Sequence, residues 1–316
     1  MEIAALAGGV GASKLLLGLN HAMDPHELTV IVNTGDDIVL HGLSISPDLD
    51  IVTYTLAGLV NPDTGWGFGD ETFRALQQLA VYRGPQWFNL GDRDLATHIH
   101  RTGMLRAGAR LSDATNSIRE ALGVKARILP MSDEPVPTML ETSDGRLHFQ
   151  EYLVQRRAEP TVQAISFDGI EHAHPAPGVL EALESARTIV ICPSNPLISI
   201  GPILAVPGVR KTLQERRSDV LAVCPIVGGK SLKGPSDRML AQLGYEVSAL
   251  GVARMYRDIC GTMLIDPVDS TQREGIEALG VGVVIHPTVM QNLGDKERLA
   301  RKILQLAEKK KAGASA

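Results

Sequence analysis

Ile3-Ala4-Ala5-Leu6-Ala7-Gly8-Gly9-Val10-Gly11-Ala12-Ser13-Lys14 holds the change of pattern that decides the fold class. Its apolar first half reads as a short buried strand, and its glycine run turns the chain into a helix reaching about Asn20. Glycine lacks the Cβ that would hold a diphosphate away from backbone N–H groups, and a helix N-terminus adds free donors and the positive end of a dipole. The next strand, Leu28 to Asn33, is apolar and β-branched and runs into Thr34-Gly35-Asp36-Asp37. One end of a parallel sheet thereby presents an anion cradle beside a pair of carboxylates.

Outward from this unit, strand and helix patterns alternate as repeated βαβ units require. Strand Thr188 to Cys192 is followed by a helix from Pro207 to Arg216, strand Val220 to Val227, a helix from Pro235 to Leu243, and strands Thr262 to Ile265 and Val281 to Ile285. A long helical stretch interrupts the alternation. Asp70 caps a helix through about Tyr82, a second follows Gly91-Asp92-Arg93-Asp94, and Ser112 caps a third reaching Leu122. Thr138 to Thr142 and Leu147 to Tyr152 flank the turn Ser143-Asp144-Gly145, a hairpin that makes the sheet mixed. The expectation is a Rossmann-like α/β fold, with a mostly parallel sheet, helices on both faces and an inserted helical and hairpin subdomain. Residues 1–57 and 156–316 form the nucleotide- and diphosphate-binding core, and 58–155 form the insert, a lid candidate. Asp295 starts a last helix ending in Lys309-Lys310-Lys311, and Ala312 to Ala316 read as a frayed end.

At 316 residues the chain can bury a large core. A net charge of −5 gives no global attraction to nucleic acid or anionic membrane, so any affinity for phosphate must be local. No apolar run approaches the ~20 residues of a bilayer span, and the first residues lack the basic and apolar regions of a signal peptide, which predicts a soluble, cytoplasmic protein. Cys192, Cys224 and Cys260 are odd in number and outside any C-x-x-C spacing, as expected of buried small hydrophobes rather than a disulfide framework or zinc site.

The candidate residues each carry two meanings. The glycine run is neither a Walker A loop nor a complete dinucleotide fingerprint, because Ser13-Lys14 stands where a third glycine belongs. It is either a phosphate cradle or a tight strand–helix turn, and Lys14 adds a point charge for an oxyanion. Asp36 and Asp37 suit turn formation or metal binding, and Asp48 and Asp50 close behind in Ser46-Pro47-Asp48-Leu49-Asp50 favour a hard cation such as Mg²⁺. Pro193-Ser194-Asn195-Pro196 follows a buried strand and so shares the sheet edge of Gly8 to Gly11. Gly228-Gly229-Lys230-Ser231-Leu232-Lys233-Gly234-Pro235 offers two lysines for closing over a phosphate, and equally the composition of a flexible surface loop. Gly91 to Asp94, with Thr97 and His98, reads as an ion-paired cap network or a substrate contact. Asp133 and Glu134, set between prolines, form a rigid exposed loop or an acceptor for the N–H donors of a guanine. Gly65-Trp66-Gly67-Phe68-Gly69 joins hinges to aromatic faces, suited to stacking on a planar ring or to packing within a subdomain.

Taken in order, Ala7-Gly8-Gly9-Val10-Gly11, Val32-Asn33-Thr34-Gly35-Asp36-Asp37, Ser46-Pro47-Asp48-Leu49-Asp50, Leu90-Gly91-Asp92-Arg93-Asp94, Leu129-Pro130-Met131-Ser132-Asp133, His148-Phe149-Gln150-Glu151 and Pro193-Ser194-Asn195-Pro196 form a set. That set resembles the 2-phospho-L-lactate transferases of coenzyme F420 biosynthesis, from Ile3 to about Pro287. The resemblance implies transfer of a phospho-acid (2-phospholactate, phosphoenolpyruvate or 3-phosphoglycerate) from its GMP-activated diphosphate to the terminal ribityl hydroxyl of the deazaflavin Fo. GMP leaves, and F420-0 or an analogue forms. A Mg²⁺ requirement and a homodimer are implied as well. Gly8, Gly9, Gly11 and Lys14, with Ser194 and Asn195, would cradle the diphosphate. Asp36, Asp37 and Asp50 would hold the metal and orient or deprotonate the hydroxyl, Asp50 and Asn89 would face Fo, and Asp133 would meet the nucleotide. Trp87-Phe88-Asn89 resembles the bacterial branch, which commonly uses phosphoenolpyruvate.

Two rivals remain. Regulatory proteins of the gluconeogenesis-factor type share the glycine loop and strand order but bind nucleotide sugars, and the Leu90 to Asp94 segment favours the transferase over them. A nucleotide-dependent dehydrogenase would use the glycine turn for a dinucleotide, for which the glycine spacing is incomplete.

Overall fold

Strand β1 (Ile3–Ala7) is apolar at every position because both of its faces are covered, the pattern of a central strand in a parallel sheet. The computed structural model describes residues 2–314, with side chains through residue 309. Strands β2 (Leu28–Val32), β3 (Arg127–Pro130), β4 (Thr188–Ile191), β5 (Val220–Val223), β6 (Thr262–Ile265) and β7 (Gly282–Ile285) join β1 in one sheet of order β7-β6-β5-β4-β1-β2-β3. Every pairing in it is parallel.

The strand period of two sends alternate residues into two cores. Ala4, Leu6, Ile31 and Ile191 share one with the helices Val179–Ser185, Ile200–Ala205 and Val209–Glu215. Ala5, Ala7, Val30 and Val32 share the other with α1 (Gly9–Ala22), α2 (Pro47–Leu56) and the helix Leu293–Ala314. The expected α/β class, with helices on both faces, is the observed one. Successive strands step outward from β1 in one direction and, from β4 onward, in the other. The loops leaving β1 and β4 therefore part and open a crevice at the carboxyl edge, where ligands bind in such sheets.

Several local expectations are corrected. The main sheet is wholly parallel rather than mixed: the hairpin Thr138–Thr142 with Gly145–His148 pairs instead with Val162–Phe167 in a separate antiparallel sheet. The span 58–155 is not set apart from the main sheet, since it supplies the edge strand β3, with Arg127 opposite Thr29. Around that strand it carries α3 (Arg74–Val81), α4 (Asp92–Arg106) and α5 (Leu111–Ala121). Asp70 does not cap α3; it takes a left-handed φ of 52°, and the carboxylate of Asp92 receives the N–H groups of Arg74 and Ala75. Nor does Ser112 cap α5, because its N–H and hydroxyl both donate to Asp133. The last helix continues through Ala314, beyond the point where fraying is expected, and residues 315 and 316 of that tail lie outside the described residues. Cys192, Cys224 and Cys260 are free and buried. Among the described residues no helix is long and apolar enough to cross a membrane.

Candidate active site

The crevice between the loops leaving β1 and β4 deepens into a cavity of about 430 Å³, a size that suits a small organic ligand. The glycine loop forms its floor, and α2 brings acids to one wall.

The donors of the glycine loop are partly spent inside the protein. Gly8 N–H donates to Ser194 Oγ at 3.3 Å, the Ser194 hydroxyl donates back to the Gly8 carbonyl at 2.8 Å, and Gly9 N–H donates to Asp48 Oδ1 at 2.8 Å. A Cβ on Gly11 would lie 2.4 Å from the Pro193 carbonyl oxygen, and one on Gly8 would lie 2.7 Å from Asp48 Oδ2. Glycine is therefore required here so that three segments can close on one another. Val10, Gly11 and Lys14 on the opening turns of α1 border the cavity, with Lys14 Nζ donating to the Met290 carbonyl at 3.2 Å. Asn195 also borders it: its Oδ1 receives Leu197 N–H at 2.9 Å, while its Nδ2 faces the weak acceptor Met239 Sδ at 3.9 Å.

Asn33, at the end of β2, ties two acids together. Its amide nitrogen donates to Asp36 Oδ1 at 3.0 Å, to Asp48 Oδ2 at 2.9 Å and to the Ile198 carbonyl at 3.3 Å, so two hydrogens serve three acceptors. Gln150 Nε2 donates to Asp36 Oδ2 at 3.2 Å. Asp36 is 6% exposed and Asp48 5%. Among the described residues neither forms an ion pair with a lysine or arginine, and the buried Arg101 is committed to Asp50. Burial, then the charge of Asp48, pushes the Asp36 carboxyl well above the usual carboxylate range. Burial pushes Asp48 up to about 6, against the hydrogen bonds from Asn33 and Gly9. Two hard oxygen donors with raised proton affinity are a donor set that fits Mg²⁺. Asp37 is turned away: it does not border the cavity, its Oδ2 receives the Ser46 hydroxyl at 2.7 Å, and burial raises its carboxyl too.

Asp50 is the opposite case. Arg101 Nη1 donates to Asp50 Oδ2 at 3.1 Å and Nη2 closes on Oδ1, a two-pronged pair in which both partners are buried. The same Nη1 is 3.3 Å from His98 Nδ1. His98 Nε2 lies 3.4 Å from Asp94 Oδ2, and Tyr54 donates to Asp94 Oδ1 at 2.7 Å. Asp50, Tyr54, Asp94 and His98 all border the cavity, opposite the glycine loop.

The outer segments divide between site and scaffold. In Gly91-Asp92-Arg93-Asp94 the cap reading holds for Asp92, which caps α3, while Glu71 reciprocally receives the N–H groups of Arg93 and Asp94 at the start of α4. Of its acids only Asp94 borders the cavity, along with Asn89 just before the segment. Trp66 borders it, whereas Phe68 packs on Tyr54 at 4.1 Å and lies under Arg93. Asp133 is a scaffold residue, both of its oxygens occupied by Ser112, and Glu134 binds Ser132 and His174; neither borders the cavity. In the sequence Asp48, Asn33 and Gln150 stand within the quoted motifs without a named role, and Arg101 stands in none of them.

Fold and cavity together define a Rossmann-like α/β protein with a deep, acid-lined ligand site at its switch point. The family model described as "2-phospho-L-lactate transferase CofD" matches residues 3–283, and the chain belongs to that family of transferases. It is 47% identical to a phosphoenolpyruvate transferase of Streptomyces griseus, with 99% of this chain and 100% of the relative covered. It is 39% identical to a 2-phospho-L-lactate transferase of Methanosarcina mazei, with 95% and 98% covered. The crystal structure of a UPF0052-family protein from Bacillus halodurans superposes with a TM-score of 0.66 at 19% identity, over 96% of this chain and 98% of that one, a likeness of fold. The resemblance read from the ordered motifs is thus the family to which the chain belongs, an enzyme family of phospho-acid transfer.

Proposed function

We propose that this enzyme moves phosphoenolpyruvate from its guanylylated diphosphate to the terminal ribityl hydroxyl of Fo, releasing GMP. The observation that carries the reading is the buried pair Asp36 and Asp48, without a lysine or arginine partner among the described residues, lining one cavity beside the N-terminus of α1. The choice of acid follows the phosphoenolpyruvate transferase of Streptomyces griseus.

In this reading the Val10 and Gly11 end of α1 and the Lys14 ammonium hold the diphosphate oxygens. Asp36 and Asp48 would hold Mg²⁺, which when bound neutralises charge on the diphosphate and the departing GMP. Asp50, fixed by Arg101, orients the ribityl hydroxyl and takes its proton as the new oxygen–phosphorus bond forms and the bond to the GMP oxygen breaks. Asn89 and Trp66 line the side open to the deazaflavin.

A coupled assay tests this reading: Fo, Mg²⁺, GTP and a guanylyltransferase, with phosphoenolpyruvate, 2-phospholactate or 3-phosphoglycerate supplied separately and products read by mass. The dehydro product with phosphoenolpyruvate is expected. A product from another acid alone would replace the donor, and tight nucleotide binding with no product from any acid would favour a nucleotide-binding regulator.

A further inference from the structure

Two glycine-bearing loops meet over the cavity from opposite sides. Residues 61–69 form a compact turn in which Asn61 N–H donates to the Gly67 carbonyl, Gly65 N–H to the Asn61 carbonyl and Gly69 N–H to the Leu59 carbonyl. Residues 228–235 come from beyond β5, and Lys233 Nζ donates to the Thr64 carbonyl at 3.2 Å. The contact is close: a Cβ on Gly65 would lie 3.3 Å from Val10 and 3.5 Å from Lys233 Nζ, and Gly65 sits at a φ of +75°.

Lys14 and Lys233 are the ammonium groups among the described residues that border the cavity, and among those residues each rests on a backbone carbonyl rather than a carboxylate. A neutral carbonyl leaves the charge of an ammonium uncompensated. Burial, then Lys233 and Lys296, holds Lys14 below the usual lysine range, which places the charge of Lys233 near it. The acids of the cavity would repel a polyanion, so the two ammonium groups without a carboxylate partner mark where one enters. Lys230, on the same loop, is exposed and does not border the cavity.

We propose that Lys233 is a donor-binding residue: in the free enzyme it latches the 61–69 loop through the Thr64 carbonyl, and it leaves that latch to share the donor's diphosphate with Lys14. The proposal rests on the reading that the cavity takes a guanylylated diphosphate. Binding of the donor is then coupled to release of the Trp66 loop, so the mouth on the deazaflavin side responds to whether the donor is present.

Calorimetric titration with GDP, and with guanosine as its uncharged counterpart, tests this on the wild type and on Lys233→Met, Lys233→Arg and Lys230→Met. Loss of a charge-assisted contact to phosphate is expected to weaken GDP about tenfold in Lys233→Met. Guanosine affinity should be unchanged, Lys233→Arg should restore most of the loss, and Lys230→Met should match the wild type. Hydrogen exchange gives the second readout, with amides of residues 61–69 exchanging faster in ligand-free Lys233→Met than in the ligand-free wild type. Wild-type affinity for GDP in Lys233→Met, or equal losses for GDP and guanosine, would overturn the proposal. Product formation by the wild type alongside either result would leave the transferase reading intact. Lys233-dependent GDP binding in a protein that makes no product would defeat the transferase reading alone.

Discussion

Two carboxylate sites border the cavity, and they are solved in opposite ways. Asp50 is buried with its countercharge, the guanidinium of Arg101, already in place. Asp36 and Asp48 are buried just as deeply and share the amide of Asn33, with neutral donors from Gln150 and Gly9 but, among the described residues, no lysine or arginine. A buried charge with its partner built in is an acceptor held in one place, whereas a buried pair of like charges without one disfavours its own ionisation until a cation arrives. In the proposed reading the first orients the ribityl hydroxyl and takes its proton, and the second holds the cation.

The comparison breaks most visibly in catalysis. Asp36→Asn or Asp48→Asn should lower the rate of phospho-acid transfer on the order of 10³-fold, the effect of removing several kcal/mol of charge stabilisation; steady-state rates with saturating Mg²⁺ measure it. On the other side, Arg101→Met strands the buried Asp50 carboxylate and should cost about 3–5 kcal/mol in urea unfolding.

The stability effect should reverse on the binding side. Without metal, Asp36→Asn removes a like charge and should raise the melting temperature by a few degrees, a gain on the order of 1 kcal/mol. The pH dependence has the same origin. Folded Asp48 keeps its proton up to about pH 6, whereas the carboxyl's ordinary value is 3.8. The folded state therefore binds more protons than the unfolded one between those values, so metal-free wild type should lose stability relative to Asp48→Asn as pH rises through that window. Melting curves in chelator at stepped pH check the sign. The smallest effect belongs to a residue outside both sites: Asp133→Ala removes acceptors at the start of α5 and should cost about 1 kcal/mol, with kcat/KM within about twofold of wild type.

The parts of the molecule legible in the sequence are those written in local pattern. The step from Ile3–Ala7 into Gly8 to Gly11 carries strand, turn and helix within a dozen residues, and strand and helix stand there in the structure. Strand β3 was hidden because Ile128-Leu129-Pro130 is too short to show a period and its partner β2 lies about a hundred residues earlier. The same distance problem blurred the site. Asp48 and Asp50 are two apart on α2 and so point to different sides, one to the glycine loop and one to Arg101. Only the arrival of Arg101 from α4 decides which of them is already paired. Asp133 was misleading for a related reason: a carboxylate that caps a distant helix and one that waits for a ligand look alike in sequence.

Calorimetric titration of Mg²⁺ into the GDP-bound protein tests Asp36 and Asp48 as the cation site. Binding is expected in the wild type and in Asp133→Ala, and its loss in both Asp36→Asn and Asp48→Asn. Wild-type Mg²⁺ binding in folded Asp36→Asn and Asp48→Asn proteins would contradict that assignment.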